Sequence, residues 1–131
     1  MTDRVEVAVV GAGPGGLSAA LAAAEAGAQV TLIDSNQSPG GQYFKQAAAE
    51  LWVGNPSRHQ REGQALWQRV MGAGVRFLPE TVVWGTFEGN LLALHGPLAP
   101  SFLQAQAIIL ATGAYDRPVA FPGWTLPGVM T

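Results

Sequence analysis

Residues 4–34 read RVEVAVVGAGPGGLSAALAAAEAGAQVTLID, and the order of strand, tight turn, helix and strand within them decides the fold class. Val5, Val7, Val9 and Val10 put β-branched side chains into a short apolar run, as a strand buried on both faces requires. Pro14 falls in the turn or the first helical turn, where its missing N–H costs nothing. An Ala-rich helix follows to about Ala26, with Gly27 as its expected stop. AQVTLID, ending at Asp34, is the second strand.

Inside the turn, GAGPGG places Gly11, Gly13 and Gly16 in the pattern G-x-G-x-x-G. A Gly- and Ala-rich chain can produce that pattern by chance, so its surroundings carry the inference. Here it directly follows a strand and opens a helix, and an acidic residue, Asp34, ends the second strand roughly twenty residues further on. This is the context of a dinucleotide-binding βαβ unit. Gly11 permits the tight turn, Gly13 lets backbone approach a pyrophosphate, and Gly16 lets the helix pack on the strand. The helix N-terminus offers free N–H groups and a partial positive charge to phosphates. Asp34 is expected to accept hydrogen bonds from the adenosine ribose hydroxyls, and Ala19, Ala20, Ala22 and Ala23 to serve close packing of the helix.

Further along, SNQSPGGQYFK (residues 35–45) is a loop with a turn at Pro39-Gly40-Gly41. A short helix over QAAAELW (46–52) is expected, then a break at Gly54-Asn55-Pro56. Ser57 is an N-cap for a helix running to about Met71 and ending at Gly72 or Gly74. VRFL (75–78), TVVWGTF (81–87) and LLALHG (91–96) read as strands, the last two joined as a hairpin at Glu88-Gly89-Asn90. AIILAT (107–112) is the last strand. The reading is an α/β Rossmann-like fold with a small antiparallel β addition.

The totals narrow the functional classes. A chain of 131 residues is at most one domain with room for a core. Charged residues are 12% of the chain, against about 25% in ordinary domains. With four Trp, so few charges point to apolar surface covered by a partner subunit or by self-association. A net charge of −2 without any Lys/Arg cluster excludes an electrostatic case for nucleic acid. The absence of Cys excludes disulfides, Cys-based zinc sites and redox-active CxxC pairs. The N-terminal MTDRVEVAVV has no signal-peptide pattern and no apolar run is long enough to span a membrane, so the expected location is cytoplasmic.

Two further segments, PGGQYFK (Pro39–Lys45) and ATGAYDRPVAFPGWTLPGVMT (Ala111–Thr131), carry a resemblance. The chain resembles the two-dinucleotide-domain flavoproteins of the pyridine nucleotide-disulfide oxidoreductase type. More specifically, it is similar to the FAD subunit of the hydrogen cyanide synthase, opine oxidase and hydroxyproline dehydrogenase group of amine and amino-acid dehydrogenases. The resemblance implies FAD as cofactor. Gly11, Ala12, Gly13, Pro14, Gly15 and Gly16 would then hold the pyrophosphate, and Asp34 with Ser35 the ribose end. Gly41 and Gln42 would lie along the cofactor toward the flavin. Ala111, Thr112 and Gly113 would cross beside the adenosine diphosphate part, and Val83 would meet the adenine through its backbone. Gln42 can equally satisfy backbone groups of its own turn. Ala120 stands where this group more often has Pro.

No catalytic or metal-binding constellation stands out. His59, among Arg58, Gln60, Arg61 and Glu62, reads as a solvated helix residue, and His95 ends a hairpin strand; neither has a nearby partner in sequence that suggests general-base work. Trp52, Trp67 and Trp84 read as core or interface residues, and Trp124 as part of a connector. The resemblance also implies what the chain lacks. In this group a second nucleotide domain follows the ATG loop, and a returning segment carries a Gly-Asp pair that binds the flavin side. The expected organisation is an FAD-binding segment over 1–114 and a connector over 115–131, truncated before the second domain. The functional expectation is part of a flavin-dependent oxidoreductase acting on an amine or amino acid and incomplete alone. Alternatives are a non-catalytic dinucleotide-binding module or remnant, and a fragment of a thioredoxin-reductase-like enzyme, which shares the Gly-Gly-Gln loop.

Overall fold

Alternating side chains in the first strand divide the interior into two cores. Strand β1 (Thr2–Val10) sends Val7 and Val9 to one side of the sheet and Ala8 and Val10 to the other. Helix α1 (Pro14–Glu25) covers the first side, burying Leu17, Ala20 and Leu21 on Val9. Strand β2 (Val30–Ile33) lies parallel to β1, buried at every residue, with Val30 and Leu32 in that same core. A computed structural model describes residues 2–45 and 54–129. The helix expected over 46–52, and Trp52 with it, lie outside the described residues.

Helix α2 (Arg58–Gly72) begins at a reciprocal cap: Gln60 N–H donates to Ser57 Oγ (3.2 Å) and Ser57 N–H to Gln60 Oε1 (2.7 Å). Its apolar stripe of Leu66, Trp67 and Val70 packs on the α1 core, with Trp67 edge-on to Phe77 at 5.0 Å. Arg69 reaches Glu25 of α1 at 3.2 Å. On the opposite, solvated face Arg58 donates to Glu62 at 2.7 Å and holds that carboxyl below its usual range. His59 belongs to this face, 3.8 Å from Glu62, as the sequence suggests.

Four more strands complete the sheet: β3 (Arg76–Leu78), β4 (Val82–Phe87), β5 (Leu91–His95) and β6 (Phe102–Leu110). The six strands run in the order β3-β2-β1-β6-β5-β4. The β3, β2, β1 and β6 ladders are parallel, and β5 and β4 join antiparallel at the β6 edge. The hairpin turn at Glu88–Asn90 is as expected, with Asn90 at φ 59 and Gly89 at φ 76. Leu92 and Leu94 of β5 meet Ala8, Ile33, Leu78 and Leu103 in the second core, so the hairpin supplies part of the packing on that side.

Three expectations change. β6 ends at Leu110 rather than Thr112 and begins at Phe102 rather than Ala107, because Leu103 and Ala105 are buried while Gln104 and Gln106 alternate outward. Those two glutamines hide the strand from a reading keyed to the apolar run AIIL. Both are tied to the hairpin turn: Gln104 donates to Gly89 O, and Asn90 Nδ2 to Gln106 O (2.9 Å). In α1, Ala20 is buried and Ala19 and Ala23 are half-buried, but Ala22 faces solvent. Of the core-or-interface reading of Trp84 the core half falls: it stands 62% exposed on β4, edge-on against Phe87 at 6.3 Å.

Candidate functional site

A cavity of about 970 Å³ opens at the carboxyl ends of β1, β2 and β6. That is the end where parallel α/β sheets present ligand sites. Four segments meet there because the backbone ties them together. Gly11 N–H donates to Ile33 O (2.7 Å), and Ala111 N–H donates to Val10 O (2.8 Å). Gly40 N–H donates to Ala12 O (2.7 Å), drawing the Pro39–Lys45 loop onto the turn after β1. The residues after β2 are pinned to those after β3: Asp34 N–H to Leu78 O (3.1 Å), Glu80 N–H to Asn36 O (3.1 Å) and Thr81 N–H to Asp34 O (2.9 Å).

Such close approach leaves no room for side chains. Gly11 sits at φ +105, and a Cβ there would overlap the Ala111 carbonyl oxygen. A Cβ on Gly16 would overlap the Gly11 carbonyl oxygen and stand 3.4 Å from Ala111 Cβ. The glycine turn, the first turn of α1 and the strand end at Ala111 are thus stacked backbone on backbone. Gly13 is the N-cap of α1, and no side chain caps it. The first-turn N–H groups therefore face the cavity end with the helix dipole behind them.

Asp34 is the acidic group of the cavity and is engaged on both oxygens. Ala12 N–H donates to Oδ2 at 2.6 Å. Asn36 donates to Oδ1 twice, from its backbone N–H at 2.7 Å and from Nδ2 at 2.8 Å. Lys45, the only lysine of the chain, is the other charged side chain on the cavity wall.

All the residues expected from sequence except Ala12 and Gly16 line this one cavity: Gly11, Gly13, Pro14, Gly15, Asp34, Ser35, Gly41, Gln42, Val83, Ala111, Thr112 and Gly113. Ala12 is fully buried and acts through its N–H on Asp34; Gly16 is buried between helix and turn. The wall also contains Asn36, Tyr43, Lys45, Thr81 and Tyr115, which the sequence reading did not single out. Lys45 was legible as a lone cation closing the Gly-Gly-Gln loop. Thr81 was not, since only the pairing of β2 with β3 brings it near. His95 and Trp84 are absent from the wall, and His59 touches it only indirectly, with its ring 4.5 Å from Tyr43. Among the described residues no group of three or more His, Asp or Glu side chains could hold a metal ion.

Known proteins share this fold. A family model described as pyridine nucleotide-disulphide oxidoreductase matches residues 5–130. An opine oxidase subunit of Agrobacterium tumefaciens is 32% identical over 145 residues, an alignment that takes in the whole of this chain and 28% of that relative. The chain thus spans little more than a quarter of the length of that relative. Among solved structures, L-proline dehydrogenase from P. horikoshii superposes with a TM-score of 0.71 at 25% identity, covering 91% of this chain and 25% of that one. Lactococcus lactis thioredoxin reductase superposes with a TM-score of 0.68 at 26% identity, covering 91% and 39%.

Proposed function

Because this chain belongs to the pyridine nucleotide-disulphide oxidoreductase family, we propose that it is the FAD-binding part of a flavin-dependent oxidoreductase acting on an amine or amino acid. The observation that carries the reading is the convergence of the glycine turn, Asp34, the Gly-Gly-Gln loop and the Ala111–Gly113 segment after β6 on one cavity. The residues fit an adenosine diphosphate group. The uncapped N-terminus of α1 and the backbone of Gly11, Gly13 and Gly15 receive the pyrophosphate, as Lys45 does with its charge. Asp34 and Ser35 meet the ribose, Val83 the adenine edge, and Gly41 and Gln42 the run toward the flavin. A flavin held by these residues would supply the hydride acceptor, while this chain's part would be to bind and orient the adenosine diphosphate end.

The relatives of this chain named as subunits support a partner polypeptide in the working enzyme. Residues 115–131 serve in this reading as the connector from the FAD-binding segment (1–114) toward a second domain. Residues 115–129 lie outside every strand and helix and are exposed throughout. A cytoplasmic location belongs to the same proposal; no described helix is long and apolar enough to cross a membrane. The likeness to thioredoxin reductase keeps a second reading, an NAD(P)H-dependent flavoprotein of that kind. The identity to opine oxidase along the whole chain favours the first.

Titration of the purified chain with ADP and FAD tests the cofactor, and dye reduction with amino-acid substrates tests completeness. Binding without robust turnover is expected. No affinity for either nucleotide would remove the cofactor assignment, and robust turnover would remove the claim that the chain is one part of a larger machine. Asp34→Ala is expected to weaken ADP by about tenfold or more, the scale of a hydrogen bond to a charged group.

A further inference from the structure

The hydrogen bonds on Asp34 bear on how ribose is read, given the adenosine diphosphate site proposed above, on which this inference rests. A carboxylate offers about four acceptor positions, two on each oxygen. Asn36 occupies both on Oδ1, through its backbone N–H (2.7 Å) and through Nδ2 (2.8 Å). The side-chain atom facing Asp34 must be the amide nitrogen, since a carboxylate only accepts. Ala12 N–H occupies one position on Oδ2 (2.6 Å). Among the described residues no other group donates to Asp34, which leaves one acceptor position, on Oδ2.

The arrangement is rigidly supported. The backbones of Asp34 and Asn36 are held by Leu78, Glu80 and Thr81 on one side, and the carboxylate by the buried Ala12 on the other. Both Asp34 and Asn36 stand on the cavity wall. A vicinal diol brought to this wall has two hydroxyls and one place on Asp34 to donate.

We propose that Asn36 is a positioning residue that restricts Asp34 to a single ribose hydroxyl, so that the site reads one of the two hydroxyls and not both. Removing the Asn36 amide frees a position on Oδ1 while its backbone N–H still holds the carboxylate in place. Asn36→Ala therefore widens the reading to both hydroxyls. Asn36 is exposed, and the substitution leaves both buried cores untouched.

The experiment measures the affinities of ADP, 2′-deoxy-ADP and 3′-deoxy-ADP for the full chain and for Asn36→Ala by calorimetry. In the unaltered protein one deoxy analogue is expected to bind about tenfold more weakly than ADP, and the other within about twofold of it. In Asn36→Ala both analogues are expected to lose about tenfold relative to ADP. Equal losses for the two analogues in the unaltered chain would overturn the proposal, as would an unchanged pattern in Asn36→Ala. ADP binding with the wrong pattern defeats this inference alone. Absence of ADP binding by the unaltered chain defeats the nucleotide site, and the inference with it.

Discussion

The βαβ end of the molecule and the segment that follows β6 treat apolar side chains in opposite ways. From β1 to β2, Val9, Leu17, Leu32 and Ile33 are fully buried, and even the turn between the elements is packed backbone on backbone. After Leu110, itself 71% exposed, Tyr115, Val119, Phe121, Trp124, Leu126 and Val129 all face solvent, with local turns such as Trp124 N–H to Phe121 O (3.0 Å) among them. Both stretches are rich in apolar residues; among the described residues only the first is covered by other parts of the chain. Burial of a large aliphatic side chain contributes about 1.5–3 kcal/mol, so stability is concentrated in the first stretch. The cavity lies where the two meet, with rigid walls from the first and Ala114 and Tyr115 from the second.

Gly16→Ala probes the densest point of the ordered half. Its Cβ would overlap the Gly11 carbonyl oxygen, which is backbone and has no rotamer to yield. A loss on the order of 4 kcal/mol is expected, read as a collapse of the urea midpoint. A midpoint near that of the unaltered chain would mean that helix and turn separate easily, and would blur the contrast. Leu32→Ala, at the centre of the α1 core, is expected to cost about 3 kcal/mol by the same measurement. At the other extreme stands Trp124→Ala, which removes the largest side chain of the exposed segment. Its midpoint is expected within about 0.5 kcal/mol of the unaltered protein. A loss comparable with Leu32→Ala would break the comparison by showing that the segment packs on the domain in solution.

The same contrast explains how much of the molecule could be read in advance. β1, α1 and β2 were legible because each carries its own local signal: a β-branched run, Pro14 at the helix start, and Gly27 after its end. Helix α2 was legible from Ser57 as its N-cap; the reciprocal bond from Gln60 came only with the structure. The first half of β6 was not, because Gln104 and Gln106 interrupt the apolar run, and their partners Gly89 and Asn90 lie in a distant hairpin turn. Of the cavity wall, the glycine turn and Asp34 announced themselves by spacing. Asn36 did not, although it stands two residues from Asp34, because its part depends on a rotamer and a loop bend.

By itself the sequence determined the βαβ unit, the cap of α2, the hairpin turn and the acidic residue that ends β2. Each follows from backbone preference or side-chain periodicity over a few residues, which is local chemistry. Only the tertiary structure decided that the hairpin joins the same sheet, and that Ala111 presses on Gly11. The same holds for Thr81 reaching the cavity and for the single acceptor position left on Asp34. Those facts rest on contacts between segments far apart in the chain, and no short stretch of sequence encodes which surfaces will meet.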